Sequence, residues 1–408
     1  MASIAEDTSG VPALLPIDPV RISGVTDGRR LREVDALRGV AAVSVVAWHS
    51  ALIFPVAEAN TRGRGLTVLN VFKYTPLHAL WSGQQAVMVF FVISGFVLAL
   101  PFFTPKRPRY APFIVRRITR LWPAYALACG LAFLAASTIS AKAINPLSSW
   151  FNGEWHHPIT GKIALQHLAL IDQFDVNVFN PVLWSLVHEM RISLVFPLLV
   201  IVVARFRPMI AVPVIIVWTV ASFHLVPAGA SNGDYSVTPE FLGFFAAGIL
   251  VARYRSQLTH RVEALEGKRL ATLAAASLVL YTSSWWLPGG LQSSVIEFVG
   301  FLVACTGILL VTLGSAAVRK VFLTRPLQYL GRISYSLYLV HAVVILSVLH
   351  LFYGQVSVWL LLPLIWIISL SLATLGERFV ERPFTQLGRV LTSRRNTQLP
   401  VAVEPSVI

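Results

Sequence analysis

The feature that most constrains this chain is a succession of apolar runs, most about twenty residues long, separated by short polar segments rich in arginine. A helix needs about 20 mostly apolar residues to cross roughly 30 Å of hydrocarbon. Ten runs qualify, at about 36–56, 83–103, 119–139, 184–204, 208–226, 239–252, 270–287, 295–313, 335–353 and 357–376, with the run at 239–252 shorter than the rest. Lipid offers no partner to a backbone N–H or C=O, so a segment inside it is either helical or part of a closed barrel. Continuous apolar runs exclude barrel strands, which alternate. The expected fold is all-α: a polytopic membrane helical bundle of about ten transmembrane helices. The low share of charged residues, 13%, agrees, since soluble chains carry about 25%.

Charge orients the bundle. With the amino terminus inside, five of the 33 lysines and arginines (Arg62, Arg64, Lys73, Lys142 and Lys162) fall in outer connections and Arg191 falls within a span. The remaining 27 sit in inner segments. This is the positive-inside pattern, and a miscounted span would scramble it. Both termini are expected in the cytoplasm and the chain in a cell (inner) membrane. The net charge of +14 is spread between apolar runs and forms no continuous basic face. Nucleic acid is therefore not an expected partner, whereas membrane lipid is.

Residues 1–34 read as a flexible cytoplasmic tail, lacking the basic start and apolar core of a secretory signal. Residues 35–385 read as one multi-pass membrane domain and 386–408 as a second cytoplasmic tail, with no further domain expected after it. Cys129 and Cys305 each lie in an apolar run and suggest no disulfide framework. The longest outer connection, about 140–183, carries Trp150, Trp155, His156, His157, Asp172 and Asp175. Its length suits a cap over an outward-facing cavity.

Ionisable residues inside spans are costly and point to function. Arg38 and His49 lie eleven residues apart on the first span, which places them on one helix face about 16 Å apart. Arg38 belongs at the inner interface and His49 in the outer third; a snorkelling arginine with a packing histidine is the plainer alternative. Asp35 reads as the helix N-cap. Glu189, counted from the outer end of the fourth span, reaches nearly the depth of His49, where the two can act as a base and its orienter. Pairing of Glu189 with Arg191 or His188 is the competing expectation. No metal site is expected: position 192 is Ile where a second histidine is needed after His188-Glu189, and His156-His157 lack partners. Arg116, Arg117 and Arg120 open the third span and either hold phosphates or set topology. Ser94-Gly95 marks a small polar pair in the second span. Ser334, Tyr335, Tyr338 and His341 line one helix of the ninth.

Taken together, these segments resemble the membrane-bound acyltransferase family three, whose members include O-acetyltransferases of O-antigen, exopolysaccharide and nodulation oligosaccharides. The resemblance covers roughly residues 33–385. It is carried by Val34-Asp35-Ala36-Leu37-Arg38-Gly39 with His49, Phe90 to Phe96, Arg116-Arg117-Ile118-Thr119-Arg120, Leu183-Trp184-Ser185-Leu186 with Glu189, Gly331 to His341, and Glu381-Arg382-Pro383-Phe384. Many members follow the glutamate with an aromatic pair; here Met190-Arg191-Ile192 stands instead, which adds a charge at the expected site.

The resemblance implies an integral-membrane O-acyltransferase. It moves an acyl group, expected to be acetyl, from cytoplasmic acyl-CoA to a hydroxyl of a carbohydrate or glycolipid acceptor. His49 is then the general base or, less simply, an acyl-carrying nucleophile, with Glu189 holding its tautomer. Arg38, Arg116, Arg117 and Arg120 bind the donor's phosphates, and Ser94, Tyr335 and His341 line the acceptor cavity. A transporter or flippase of a lipid-linked sugar is the reading from another class; it predicts internal repeats and broken helices, and none is visible in the sequence.

Overall fold

In the computed structural model the described residues are 31–58, 68–139, 142–155, 161–175, 178–286 and 295–393. All ten apolar runs are helical: α1 (Arg32–Leu52), α2 (Gly83–Ala99), α3 (Tyr110–Thr138), α5 (Trp184–Arg205), α6 (Pro208–Leu225), α7 (Thr238–Arg253), α8 (Gly267–Tyr281), α9 (Val295–Gly314), α10 (Arg325–Phe352) and α11 (Val358–Gly376). A short α4 (Ser149–Gly153) lies in the long connection before α5, and α12 (Arg382–Thr392) is the last described helix. No strand occurs among the described residues.

Eight of these segments are long and apolar enough to cross a membrane. The two others depart from the expected spans for identifiable reasons. Helix α1 carries Arg32, Glu33, Asp35 and Arg38 in its first two turns, which lowers its apolarity without shortening it. Helix α8 has 15 residues, about 22 Å at 1.5 Å each, and a break at Thr282 separates it from the short turn Ser283–Trp286. Asp35 sits in the first turn of α1 and not at its N-cap, which is Leu31; its carboxylate still faces the positive end of the helix dipole.

The bundle is built around α10, most of whose residues are buried. Helix α1 packs along it, and two glycines let the backbones meet. A Cβ on Gly39 would fall 2.5 Å from the Gly331 nitrogen, and one on Gly331 would fall 2.3 Å from the Asp35 oxygen. Without an aqueous solvent to drive association, close backbone packing of this kind is what holds membrane helices together. A second such crossing joins α2 and α7, with Gly95 against Phe245 and Gly248 against Val92. Between these two tight pairs the bundle opens into a polar cleft.

Helix α11 does not stop at the expected inner boundary. A π-helical turn, Glu377–Glu381, carries it into α12, which packs on α3 through Gly388 against Thr119. Phe384, Leu387, Val390 and Leu391 of α12 remain exposed, as suits a helix lying against lipid.

Candidate active site

Two groups of buried polar residues occupy one wall of the bundle, an inner one around Arg38 and an outer one around His49. The inner group lines a narrow cleft with a cavity volume of about 30 Å³, bounded by Arg38, Ser94, Ser185, Glu189, Ser334, Tyr335, Tyr338 and the apolar Val87, Phe90, Phe91 and Leu186. Arg117 donates from Nη2 to Glu189 Oε1 at 2.7 Å, and Ser94 donates from Oγ to the same oxygen at 3.0 Å. Arg117 Nε donates to Ser193 Oγ at 3.1 Å, and that hydroxyl donates to the Glu189 carbonyl at 2.7 Å. A buried ion pair survives only when hydrogen bonds fill the remaining positions of both partners, and here the serines do so. Tyr335 donates to the Leu121 carbonyl at 2.8 Å, which ties α10 to the arginine-bearing turn of α3.

Arg38 differs from Arg117. Among the described residues it has no hydrogen-bond or ion-pair partner, and its Nε is buried without one. The charges of Arg120, Glu189, Asp35 and Glu381 all act on it from nearby. A guanidinium has five donors and no way to lose its charge at ordinary pH. Arg38 is thus a cation at the cleft with carboxylates nearby and no direct hydrogen-bond partner among the described residues.

The outer group is neutral in character. His341 Nδ1 lies 3.1 Å from the Leu337 carbonyl, and His49 Nδ1 lies 3.0 Å from the Val45 carbonyl. Carbonyl oxygens only accept, so in the neutral rings both Nδ1 atoms carry the proton. The remaining contact, His341 Nε2 to His49 Nδ1 at 3.1 Å, draws on the same proton, which His49 shares between the Val45 carbonyl and His341 Nε2. This chain of bonds leaves His49 Nε2 as a lone pair, with no protein hydrogen bond among the described residues. Trp150 of α4 lies beside His49, ring centroids 5.2 Å apart.

The expected pairing of His49 with Glu189 is therefore overturned. Glu189 shares its cleft with Arg38, about 16 Å along α1 from His49. The depth estimate assumed that α5 starts at the outer surface, and it does not. Residues 178–183 descend into the bundle first: Asn180 Nδ2 donates to the Leu339 carbonyl at 2.8 Å, and Tyr338 donates to the Val182 carbonyl at 3.0 Å. Helix α5 thus begins level with Tyr338, a turn below His341, and Glu189 lies deeper still.

The three arginines of α3 do not act together either. Arg117 is committed to Glu189, and Arg120 acts on Arg38 and Glu381. Arg116 is exposed and donates from Nε to Thr392 of α12 at 2.6 Å. Successive helix positions point about 100° apart, so Arg116 cannot join Arg117 at the cleft. Ser94 and Tyr335 border the inner cleft, as Glu189 does, while His341 belongs to the outer group. Arg191 is absent from both. It binds the carbonyls of Ile171, Asp172, Gly233 and Asp234 and stacks on Tyr235 at 4.2 Å. It fastens two outer loops, so the departure at Met190-Arg191-Ile192 adds no charge to the site. Sequence reasoning missed Glu381 as a neighbour of Arg38. The π-helical turn swings it inward, where Ser336 donates to its Oε2 at 3.2 Å, and no residue pattern announces such a turn. His156 and His157 lie outside the described residues, and among those described no group of three or more His, Cys, Asp or Glu could hold a metal ion.

A family model described as an acyltransferase domain matches residues 31–377. "O-acetyltransferase OatA" of Staphylococcus aureus strain NCTC 8325 / PS 47 is 23% identical over 354 residues, covering 80% of this chain and 56% of that protein. "Putative O-acetyltransferase SACOL0978" of strain COL is 24% identical over 382 residues, covering 85% of this chain and 60% of that protein. The chain thus spans little more than half the length of these relatives. No solved structure matches.

Proposed function

The chain belongs to this acyltransferase family, and on that premise we propose that it transfers an acyl group, acetyl in the first instance, from cytoplasmic acyl-CoA to a hydroxyl of a carbohydrate or glycolipid. The observation that carries this reading is Arg38, a cation at the cleft without a hydrogen-bond partner among the described residues, on the same helix face as a histidine whose Nε2 is not hydrogen-bonded among them. The excess of basic residues in the inner segments supports an inner-membrane location with both termini in the cytoplasm.

Arg38 and Arg120 bind the donor's phosphates through charge-assisted hydrogen bonds. The Arg117–Glu189 pair does not compete for them, since each satisfies the other; its part is to hold α3 and α5 in register beside Arg38. The donor's arm runs outward through the cleft to bring its thioester to His49, about 16 Å from Arg38 along the helix. His49 Nε2 takes the proton of the acceptor hydroxyl as that oxygen attacks the thioester carbonyl. The carbon–sulfur bond breaks, and the departing thiolate recovers the proton from His49. His341, accepting from Nδ1–H, stabilises the imidazolium that forms between the two steps.

The test is mass spectrometry of surface glycans in a deletion strain complemented with wild type, His49→Ala or Arg38→Ala. The expected result is loss of one acyl mass in the deletion, restored by wild type alone. Full restoration by His49→Ala removes the base from the scheme. An unchanged acyl profile with failed glycan export replaces the transferase by a transporter.

A further inference from the structure

Trp150 stands beside His49 on the outer side, its plane tilted 44° to the imidazole. The short helix that carries it is fastened on every side. Ser148 Oγ accepts from the Phe151 N–H at 3.2 Å, and the Ser148 N–H donates to the Ile53 carbonyl at 3.0 Å, tying α4 to the end of α1. Asn152 Oδ1 accepts from the Ile144 N–H at 2.8 Å while its Nδ2 donates to the carbonyls of Ile144, Leu147 and Ser148. Phe151 is fully buried and packs on His350 at 4.7 Å. Trp155, in the left-handed region at φ 60°, also stacks on His350 at 5.8 Å and donates Nε1 to the Phe179 carbonyl at 2.9 Å. A non-glycine residue at positive φ persists only where the surroundings enforce it.

This construction holds Trp150, which remains partly exposed, at a fixed place next to His49. An aromatic ring immobilised in advance loses little entropy when a ligand settles on it. A pyranose has hydroxyls round its edge and a face of C–H groups, and those C–H groups carry the slight positive charge that the face of an indole attracts. A sugar with one hydroxyl at His49 Nε2 needs a flat apolar partner for that face within about one ring's width. We infer that Trp150 is the acceptor-binding residue, stacking the sugar ring and thereby selecting which of its hydroxyls reaches His49. The inference rests on the acyl-transfer reading and adds the residue that decides acceptor specificity.

The experiment uses the full-length protein in detergent, [14C]acetyl-CoA as donor, and the glycan-bearing envelope of the deletion strain as acceptor, each varied in turn. Trp150→Ala is expected to raise the half-saturating amount of envelope by about tenfold, the factor that about 1.4 kcal/mol of lost stacking produces. Trp150→Phe, which keeps a smaller ring, is expected to fall between Trp150→Ala and wild type, and this second variant guards against a misfolded loop. In both, the half-saturating acetyl-CoA stays unchanged. A rise in that donor value instead assigns Trp150 to the donor and overturns the inference. Unchanged saturation by both substrates makes Trp150 a packing residue and overturns it as well. If wild type itself labels nothing, the acyl-transfer reading falls, and this inference with it.

Discussion

Around Arg38 the buried polar groups are charged and lean on one another; around His49, on the same helix about 16 Å further out, they are neutral rings held by backbone carbonyls. The inner group has three arginines and two carboxylates within reach of the cleft, and two of these, Arg117 and Glu189, form a pair exposed by only 6% and 14%. The outer group has two imidazoles, an indole and no ion pair among its described contacts. The difference matches what each end must handle. A low-dielectric setting makes an unpaired charge expensive, so charges are kept where an anionic ligand can repay them. On the proposed mechanism the chemistry falls among neutral groups, where a lone pair on His49 is not quenched by a nearby acid. A carboxylate at Nδ1, as the sequence suggested, would draw a proton onto the base; a second imidazole orients it without that pull.

Breaking the inner pair is expected to have the largest effect. Glu189→Ala leaves Arg117 charged and buried without its carboxylate, which costs about 3–5 kcal/mol. Thermal unfolding in detergent measures it, and the double variant Glu189→Leu with Arg117→Met is expected to recover most of the loss. If Glu189→Ala unfolds like wild type, the pair is not the strut described here.

At the outer end the direction of the His49–His341 bond is open to test. His341→Gln offers a carbonyl that still accepts from His49 Nδ1–H, whereas His341→Phe offers nothing. General-base assistance is worth about 10²-fold or more, so His341→Phe is expected to lower turnover by about 100-fold and His341→Gln by about 10-fold. Half-saturating acetyl-CoA should not move in either. Equal losses in the two variants break the proposed proton arrangement.

Glu154 sharpens the contrast, because the outer connection keeps even a carboxyl neutral. Burial, with the Asp175 charge adding to it, pushes the Glu154 carboxyl up to about 9, and its Oε2 has no hydrogen-bond partner among the described residues. A carboxyl raised above its unfolded value of 4.5 contributes its stability in full below that value, and the contribution is lost as pH rises to about 9. The slope across this window is at most about 1.4 kcal/mol per pH unit. Wild type is therefore expected to melt lower at pH 8 than at pH 5, and Glu154→Gln to flatten that difference. An unchanged slope in the variant assigns the pH dependence elsewhere.

The smallest effect is expected at Arg116. Its neighbour Arg117 is buried in the ion pair, yet Arg116 is exposed on Thr392. Arg116→Ala is expected to change stability by about 0.5 kcal/mol or less and leave half-saturating acetyl-CoA unaltered. A several-fold rise in that donor value would return Arg116 to the phosphate-binding group.

Much of this molecule was legible residue by residue. The apolar runs became helices because lipid leaves the backbone no alternative, and Arg38 and His49 share a helix face because eleven residues make nearly three turns. Gly95 was readable as a packing residue, and Gly39 and Gly331 stood in the matched segments. What could not be read was any pairing between helices. Depth was counted from span ends, and a connection such as 178–183, which enters the bundle before turning helical, shifts a whole helix inward without leaving a mark in hydropathy. Glu381 was hidden in the same way, by a π-helical turn. The sequence by itself determined the class of fold and which side chains lie on a common face, because helical periodicity and the solvent enforce these locally. Only the tertiary structure decided that Glu189 belongs to Arg117 and His49 to His341, because partnership between helices depends on their relative height, and that is set by packing at Gly39–Gly331 and by the descent before α5.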